Sequence, residues 1–340
     1  MTDVPTAPDL TALSAQLRRD DQAFRRSFAL GQFGCDAAEP AAEAGSGLEL
    51  RARFLALVEQ RTGLDLGSAA AERADRVLSA MPPAAVPAWL TALELEPADG
   101  PGWESLIALL TVHETYFFRD ADQLTFLSRS VLPALIAARR DEQPARLSVW
   151  CAGCSSGEEV YTLAMLIVEA LREAGEAELR GDGRILISPR WRLSVLGTDI
   201  DRGVLRQAQT GRYADFPMGP FRSLPGAWAG YFEPVPAFGP GPADRMVRPE
   251  IRALAHFLPH NLTAADPPTL DASLIVCRNV LIYLGDRARR HAQALFHRAL
   301  ARDGALVLGP TDVVRQPELF QPLWGASAVL YRKKDGRAHP

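Results

Sequence analysis

The residues best suited to chemistry lie between Val149 and Val160, where an apolar stretch passes into a loop of small residues and then into a helical pattern. The loop holds Gly153 and Gly157 with two serines between them, so its backbone can approach a ligand closely. Beyond the loop, apolar residues recur at the spacing of one helix face. Because amides at the start of a helix favour polar groups, this succession predicts a site for a nucleotide-type cofactor.

Two carboxylates, Glu158 and Glu159, stand at the helix entrance, where a dinucleotide-binding fold would hold a pyrophosphate. Carboxylates repel phosphate but suit a ligand with cationic and hydroxyl groups. S-adenosylmethionine carries a sulfonium, an ammonium and a ribose diol, and it has no phosphate. The pair therefore predicts a methyl donor rather than NAD. The alternative is that the two acids only complement the helix dipole.

Polar residues also end two other strand-like stretches. In the stretch 192–201, Asp199 occupies the position at which an α/β sheet holds ribose hydroxyls, although an aspartate there also caps helices. The apolar stretch 272–284 is interrupted by Arg278 and Asn279. At the end of a central strand they would lie in a ligand crevice, and the alternative is a turn with a structural arginine. An unpaired polar group there costs about 1 to 3 kcal/mol, so a ligand or a neighbour must satisfy it.

These residues belong to a set of ordered motifs by which the chain resembles the chemotaxis receptor methyltransferases, the CheR family, over residues 50–334. The motifs are Thr111–Asp120, Gly153–Glu159, Thr198–Asp201, Asn261–Leu262 and Cys277–Tyr283. The resemblance implies an α/β, class I S-adenosylmethionine-dependent methyltransferase fold, Rossmann-like and with a mainly parallel sheet. It also implies methylation of glutamate side chains on chemoreceptors, with S-adenosylhomocysteine as the second product.

The resemblance also assigns roles to single residues. Cofactor contacts are expected at His113, Thr115, Arg119, Gly153, Glu158, Asp199, Asn261, Leu262, Arg278 and Asn279. Asp199 is expected to hold the ribose, and Asn261 and Leu262 to bracket the adenine. Arg119 and Tyr283 are expected to be catalytic donors to the acceptor, while Arg119 alternatively pairs with the carboxylate of the methyl donor. No metal is expected.

Two residues depart from the family pattern. His113 stands where the family usually has Asn, and because a protonated imidazole would repel a sulfonium, we expect donor binding to weaken below a pH of about 6.5. Asp312 stands where the family usually has the longer Glu. These departures leave a second hypothesis open, a module that senses S-adenosylmethionine or S-adenosylhomocysteine without methylating its partner. A methyltransferase with an acceptor outside chemotaxis is a third.

The sequence further predicts three regions. They are a flexible extension and linker over 1–47, an N-terminal helical domain over 48–125 and a catalytic domain over 126–340, which contains an antiparallel β-subdomain inserted at about 211–257. Parallel strands are predicted near 147–151, 193–198, 254–258, 273–278 and 305–309, with a closing hairpin at 327–332. In some family members the β-subdomain binds a receptor's C-terminal peptide by strand addition, which makes such a peptide a second expected partner.

Composition excludes several other functions. A net charge of −4 and a pI near 5.9 argue against binding to nucleic acid or anionic membranes. Because no apolar stretch approaches the roughly 20 residues of a membrane span, we expect a cytoplasmic protein that is not inserted in a membrane. The pair Cys151 and Cys154 has zinc-like spacing, but a structural zinc needs two more ligands, so we expect reduced thiols.

Overall fold

The computed structural model describes residues 44–180, 184–236, 243–325 and 329–334. The chain divides into two compact units between Val112 and His113, whereas the sequence predicts this boundary at 125. The difference arises because the motif from His113 onward bonds within the second unit, where the amide of Phe117 donates to the carbonyl of Pro220 at 2.9 Å. The predicted extension 1–47 lies outside the described residues except for its last four positions, which are helical.

The first unit is helical. Its helices are α1 (Ala44–Thr62), α2 (Ser68–Ser79), α3 (Val86–Leu95) and α4 (Pro101–Leu110). Their core includes Phe54, Val58, Leu90 and Trp103, each no more than 1% exposed. Between α2 and α3 a short 3-10 turn begins at Pro83, because proline lacks the amide that a continuing helix would need.

The second unit holds a central sheet with helices on its faces. Its helices are α5 (Ala121–Phe126), α6 (Leu132–Arg139), α7 (Glu158–Glu173), α8 (Arg202–Thr210), α9 (Pro249–Arg252) and α10 (Asp286–Ala299). Its strands are β1 (Ala145–Ala152), β2 (Ala177–Leu179), β3 (Ile185–Ile187), β4 (Trp191–Asp199), β5 (Arg212–Tyr213), β6 (Phe232–Val235), β7 (Asp244–Val247), β8 (Ala255–Pro259), β9 (Ala272–Cys277), β10 (Leu300–Leu308), β11 (Phe320–Trp324) and β12 (Val329–Lys333).

Seven strands form the central sheet in the order β11-β12-β10-β9-β1-β4-β8. The five strands from β10 to β8 are parallel, and β12 is antiparallel to both β10 and β11. All six residues of β9 are buried, which explains why the central strands read as apolar runs rather than as alternating patterns. The predicted fold class is confirmed. The closing hairpin differs, because β12 pairs with β11 from residue 320 onward rather than within 327–332.

Two smaller antiparallel sheets interrupt the parallel order. The inserted sheet has the order β5-β7-β6, and its predicted end at 257 falls inside β8 of the central sheet. An aromatic cluster backs this insertion, with the rings of Phe117, Tyr213, Phe221 and Phe232 at centroid distances of 4.9 to 6.3 Å. The second small sheet is the β2–β3 hairpin. The loops that carry the predicted site follow β1, β4, β8 and β9 at the carboxyl edge of the central sheet.

Candidate active site at the carboxyl edge of the sheet

The loop after β1 is held tightly between its two neighbouring strands. The amides of Gly153 and Cys154 both donate to the carbonyl of Thr198, at 2.7 and 2.9 Å. Gly153 has a φ of +75°, and a Cβ there would lie 2.4 Å from a methyl carbon of Val280. Glycine is therefore required at this position by both conformation and space. The backbone of the loop lies open to a ligand where a side chain would not fit.

Asp199 ends β4 and fixes the same loop. Its Oδ2 accepts a hydrogen bond from the amide of Ser155 at 2.8 Å, and its Oδ1 accepts one from the amide of Asp201 at 3.0 Å. Burial raises the pKa of Asp199, and the two amide bonds oppose that rise. Each carboxylate oxygen has capacity for another hydrogen bond. Among the described residues the buried hydroxyl of Ser155 has no hydrogen-bond partner, which marks an unfilled polar position beside Asp199.

Glu158 opens α7 and is only 2% exposed. The hydroxyl of Ser156 donates to its Oε2 at 2.7 Å. Burial raises the pKa of Glu158 to about 7, although this hydrogen bond and the charge of Arg222 act in the opposite direction. A buried carboxylate is stabilised in its ionised form by a cation, so this position suits the positive end of a ligand.

Arg278 joins three of the sequence motifs. Its side chain is 3% exposed, its Nε lies 2.7 Å from Oε1 of Glu159, and its Nη2 donates to the carbonyl of Arg119 at 2.7 Å. Asp120 lies 3.6 Å from the same guanidinium. These contacts satisfy part of the guanidinium within the protein. Nη1 of Arg278 is buried and has no partner within the described residues, so one donor stays available to a ligand.

His113 is oriented by an acid from the end of β4. Its Nε2 lies 2.9 Å from Oδ2 of Asp201, whose Oδ1 accepts from the amide of Gly203 at the start of α8. Burial acts to raise the pKa of Asp201, but the hydrogen bond and charge of His113, together with the amides of Gly203 and Val204, outweigh it and the pKa is lowered. The imidazole of His113 therefore has an anionic partner beside it, which residue type and spacing do not predict.

The remaining predicted cofactor contacts lie on the loops after β8 and β9 and in the motif before α5. The amide of His260 donates to the carbonyl of Asp199 at 3.0 Å, which brings the adjacent Asn261 and Leu262 close to the end of β4. Asn261 closes a turn through its side-chain oxygen, and Leu262 is 8% exposed. Thr115 is partly buried.

Asn279 has a φ of +57°, and its amide donates to Oδ2 of Asp312 at 2.9 Å. The amide of Gly309 donates to the same oxygen at 3.1 Å, so Asp312 ties the ends of β9 and β10 together. Tyr283 lies on a short 3-10 helix that follows and is 38% exposed. Its side chain is thus accessible to an acceptor, but no described contact joins it to Arg119.

Sequence reasoning missed two residues that the fold brings to this region. Arg222 lies in an irregular segment between β5 and β6, where no periodicity or motif points to it. Asp201 was noted only as part of a motif, and its pairing with His113 depends on the distance between two separate loops. For Arg222 the sequence contains no usable signal. For Asp201 the signal is its place two residues after a strand-ending acid.

Other site chemistries find no support in the described ranges. No group of three or more His, Cys, Asp or Glu side chains in that part of the chain could hold a metal ion. Cys151, Cys154 and Cys277 are buried and unpaired by disulfides, and burial raises the pKa of each thiol. Nor do the described residues include a helix with the length and apolar composition that a membrane crossing needs.

The polar groups of these loops fit S-adenosylmethionine. A buried carboxylate at Glu158 suits the cationic end, and Asp199 with the unpartnered Ser155 hydroxyl suits a ribose diol. The tight turn at Gly153 admits close approach of the ligand to the backbone. These groups belong to adjacent loops of one sheet edge, which is where open α/β sheets bind their ligands.

Comparisons with known proteins agree with this geometry. The family model described as "CheR methyltransferase, SAM binding domain" matches residues 113–329. Chemotaxis protein methyltransferase 1 of Pseudomonas aeruginosa is 30% identical over 233 residues, which are 68% of this chain and 77% of that protein. A 104.1 kDa protein of Rhodobacter capsulatus is 32% identical over 289 residues, 85% of this chain but 27% of that protein. The cofactor of the site is S-adenosylmethionine, and the chain belongs to the CheR methyltransferase family.

Proposed function

We propose that this chain transfers the methyl group of S-adenosylmethionine to glutamate side chains on the cytoplasmic domains of chemoreceptors, forming methyl esters for sensory adaptation. The observation that carries the proposal is the position of the partly buried Arg119, which stands in the family's first motif and whose carbonyl is bonded by Arg278 from the loop after β9. Nη1 of Arg119 donates to the carbonyl of Glu114 at 2.7 Å, so its position is fixed while the rest of the guanidinium can meet an anion. The names of the relatives support the pathway, since several are chemotaxis protein methyltransferases.

In the proposed reaction the protein binds the two substrates and aligns them. S-adenosylmethionine supplies the methyl group and leaves as S-adenosylhomocysteine. A glutamate has an ordinary pKa of about 4.3 and is ionised at neutral pH, so no general base is needed. Glu158 would hold the cationic end of the cofactor and Asp199 its ribose. Arg119 and Tyr283 would replace the water around the acceptor carboxylate and orient it.

The proposed partners are the chemoreceptors, and the proposed location is the cytoplasm, where their methylated domains lie. A receptor's C-terminal peptide is a further candidate partner for the inserted β-subdomain, in which β6 is an edge strand. Pro234 within β6 lacks an amide donor, so a peptide added along this edge would form fewer main-chain bonds.

The proposal is tested by incubating the protein with S-adenosylmethionine labelled on its methyl group and membranes that carry the host's chemoreceptors. Mild alkali then releases volatile methanol from a glutamyl methyl ester but not from an N-methyl group. Alkali-labile label on the receptors is the expected result. Donor binding without transfer of label would overturn the proposal in favour of the sensing module, and alkali-stable label would indicate a different acceptor group.

A further inference from the structure

Arg222, which lies outside the family motifs, contacts two residues of the first motif, Glu114 and Tyr116. The guanidinium of Arg222 lies over the ring of Tyr116, with its central carbon 3.8 Å from the ring centroid. Its Nη2 donates to Oε1 of Glu114 at 2.9 Å, and its Nη1 donates to the carbonyl of Met218 at 2.9 Å. The guanidinium of Arg119 lies 5.8 Å from the same Tyr116 ring. Two positive groups thus flank one aromatic ring.

The charge of Arg222 affects a carboxyl group of the cofactor site. Its positive charge is one of the influences that lower the pKa of the buried Glu158, which places Arg222 within electrostatic range of the position assigned to the cationic end of the cofactor. Glu158 is assigned to the cationic end of the cofactor, so the two guanidinium groups favour a further anion beside them. An acceptor carboxylate supplies that anion at the point where it is used.

The partner of Arg222 shows which anion it accepts. Glu114 is itself a glutamate side chain, and it is 60% exposed while the side chain of Arg222 is 20% exposed. An ion pair with so exposed a partner is worth little, about 0 to 1 kcal/mol, so another carboxylate can displace it. The pair already shows the kind of contact that an acceptor glutamate would make.

Arg222 also lines a cleft of about 640 Å³ formed by the segment between β5 and β6 and by β7. Its walls include Phe216 and Met218, two apolar side chains that are 52% and 75% exposed. An acceptor chain lying in this cleft would present its glutamate at the guanidinium. The cleft therefore offers apolar contact area beside the charged group.

We propose that Arg222 is a specificity-determining residue that binds the carboxylate of the acceptor glutamate, and that Glu114 occupies it until the acceptor arrives. This inference rests on the proposed function and names the group that recognises the acceptor. No covalent step is assigned to Arg222. Its role is to select a carboxylate and to bring it to the motif that contains Arg119.

The first test measures binding without methyl transfer, so its result does not depend on whether the receptor is the acceptor. The protein, saturated with S-adenosylhomocysteine, is titrated by NMR with N-acetyl-L-glutamate α-methylamide and, as the neutral control, with N-acetyl-L-glutamine α-methylamide. Arg222→Gln should weaken binding of the glutamyl probe about 10- to 100-fold, because a hydrogen bond between two charged groups is lost. Glu114→Gln should tighten it by up to about fivefold.

The matched control is Arg245→Gln, because Arg245 lines the same cleft but pairs with Asp215 at 2.5 Å. This variant should bind the glutamyl probe as the unsubstituted protein does. Equal losses in the two arginine variants would overturn the assignment to Arg222. So would an unsubstituted protein that binds both probes alike or neither of them.

The second test separates the acceptor from the methyl donor. In Arg222→Gln the dissociation constant of S-adenosylhomocysteine, measured by calorimetry, should stay within about twofold of the unsubstituted value, whereas a contact with the donor's own carboxylate would be worth about tenfold or more. A tenfold loss of cofactor binding would overturn the proposal. In methylation assays the KM for receptor should rise. If the unsubstituted protein methylates no receptor, the proposed function fails while the probe titration still decides the role of Arg222.

Discussion

Nε2 of His113 lies 2.9 Å from Oδ2 of Asp201, and the carboxylate side chain is only 1% exposed. The other oxygen of Asp201 is held by the amide of Gly203 at 2.6 Å, so the acid cannot turn away from the imidazole without losing its helix-cap bond. The imidazole of His113 therefore has a fixed anion beside it. We therefore expect the loss of S-adenosylmethionine binding in acid to come from Glu158 rather than from His113.

We predict that S-adenosylmethionine binds about tenfold more weakly at pH 6 than at pH 8, because Glu158 has a pKa of about 7 and must ionise to balance the cationic ligand. Affinity rises as the pH passes through 7 and then levels off. Calorimetry at both pH values, in buffers of different ionisation enthalpy, measures the affinity and the protons released on binding. Glu158→Gln should bind weakly at both pH values.

The control for this profile is His113→Asn. It should keep the tenfold dependence, because the dependence comes from the ionisation of Glu158 and the side chain at position 113 faces the Asp201 carboxylate. If the affinity of His113→Asn did not change between pH 6 and pH 8, while that of Glu158→Gln did, the pH dependence would come from the histidine.

A second prediction concerns the stability of the protein without cofactor. The pKa of Glu158 is raised in the folded state from 4.5 to about 7, so the folded state holds this proton more tightly than the unfolded state does. Its contribution to stability is present below pH 4.5 and is lost as the pH rises to 7, by an amount on the order of 3 kcal/mol. Glu158→Gln cannot ionise and should raise the free energy of unfolding at pH 8.

Urea unfolding of Glu158→Gln and the unsubstituted protein at pH 5 and pH 8 checks the direction of this change in the free energy of unfolding. The two proteins should be close in stability at pH 5 and diverge at pH 8. A variant that is less stable than the unsubstituted protein at pH 8 would show that the ionised carboxylate is stabilised by the fold.

A third prediction follows from the buried pair of Arg278 and Glu159, whose side chains are 3% and 12% exposed. Removing one member leaves the other charged and unpaired, so Arg278→Met should lower the free energy of unfolding by about 3 to 5 kcal/mol. Replacing both members, in Arg278→Met with Glu159→Leu, should recover more than half of that loss. Denaturant unfolding of the three proteins gives the comparison.

The more exposed pair of Arg172 and Glu169 on α7, whose side chains are 49% and 23% exposed, supplies the matched control. Arg172→Met should lower the free energy of unfolding by less than about 1 kcal/mol, because this arginine is 49% exposed and water screens the pair. Equal losses at Arg172 and Arg278 would contradict the view that Arg278 holds the motifs together.

The sequence predicted the strands and loops whose signals are local. The apolar run before Gly153, the glycines of the loop and the helical spacing after Glu158 lie within one continuous stretch, and the structure has β1, the loop and α7 there. Strand β11 was missed because Phe320–Trp324 contains a proline and shows no alternation. Its place at the sheet edge depends on pairing with β12, which a local pattern does not specify.

The polar partners were less predictable than the elements. The sequence predicts a cofactor contact for Arg278, and it does not reveal that this side chain also meets Glu159, Asp120 and the carbonyl of Arg119. A guanidinium has several donors, and which of them meet protein or ligand depends on three loops from distant parts of the chain. Arg222 reaches the first motif only because the insertion folds back onto it. Such contacts arise from tertiary packing, so residue type and spacing do not reveal them.

A fourth prediction uses two glycines with the same backbone conformation. Gly153 and Gly175 both have a φ of +75°, but a Cβ at Gly153 would lie 2.4 Å from a methyl carbon of Val280, while one at Gly175 would have nothing within 4 Å. Gly175→Ala should therefore show only the cost of the left-handed backbone, roughly 1 to 2 kcal/mol in urea unfolding. Gly153→Ala adds a clash that must displace Val280 and the cofactor loop, so it should lose more stability and bind S-adenosylhomocysteine at least about tenfold more weakly. Equal stability of the two variants, with normal cofactor binding in Gly153→Ala, would show that the loop tolerates a side chain where the structure leaves it no room.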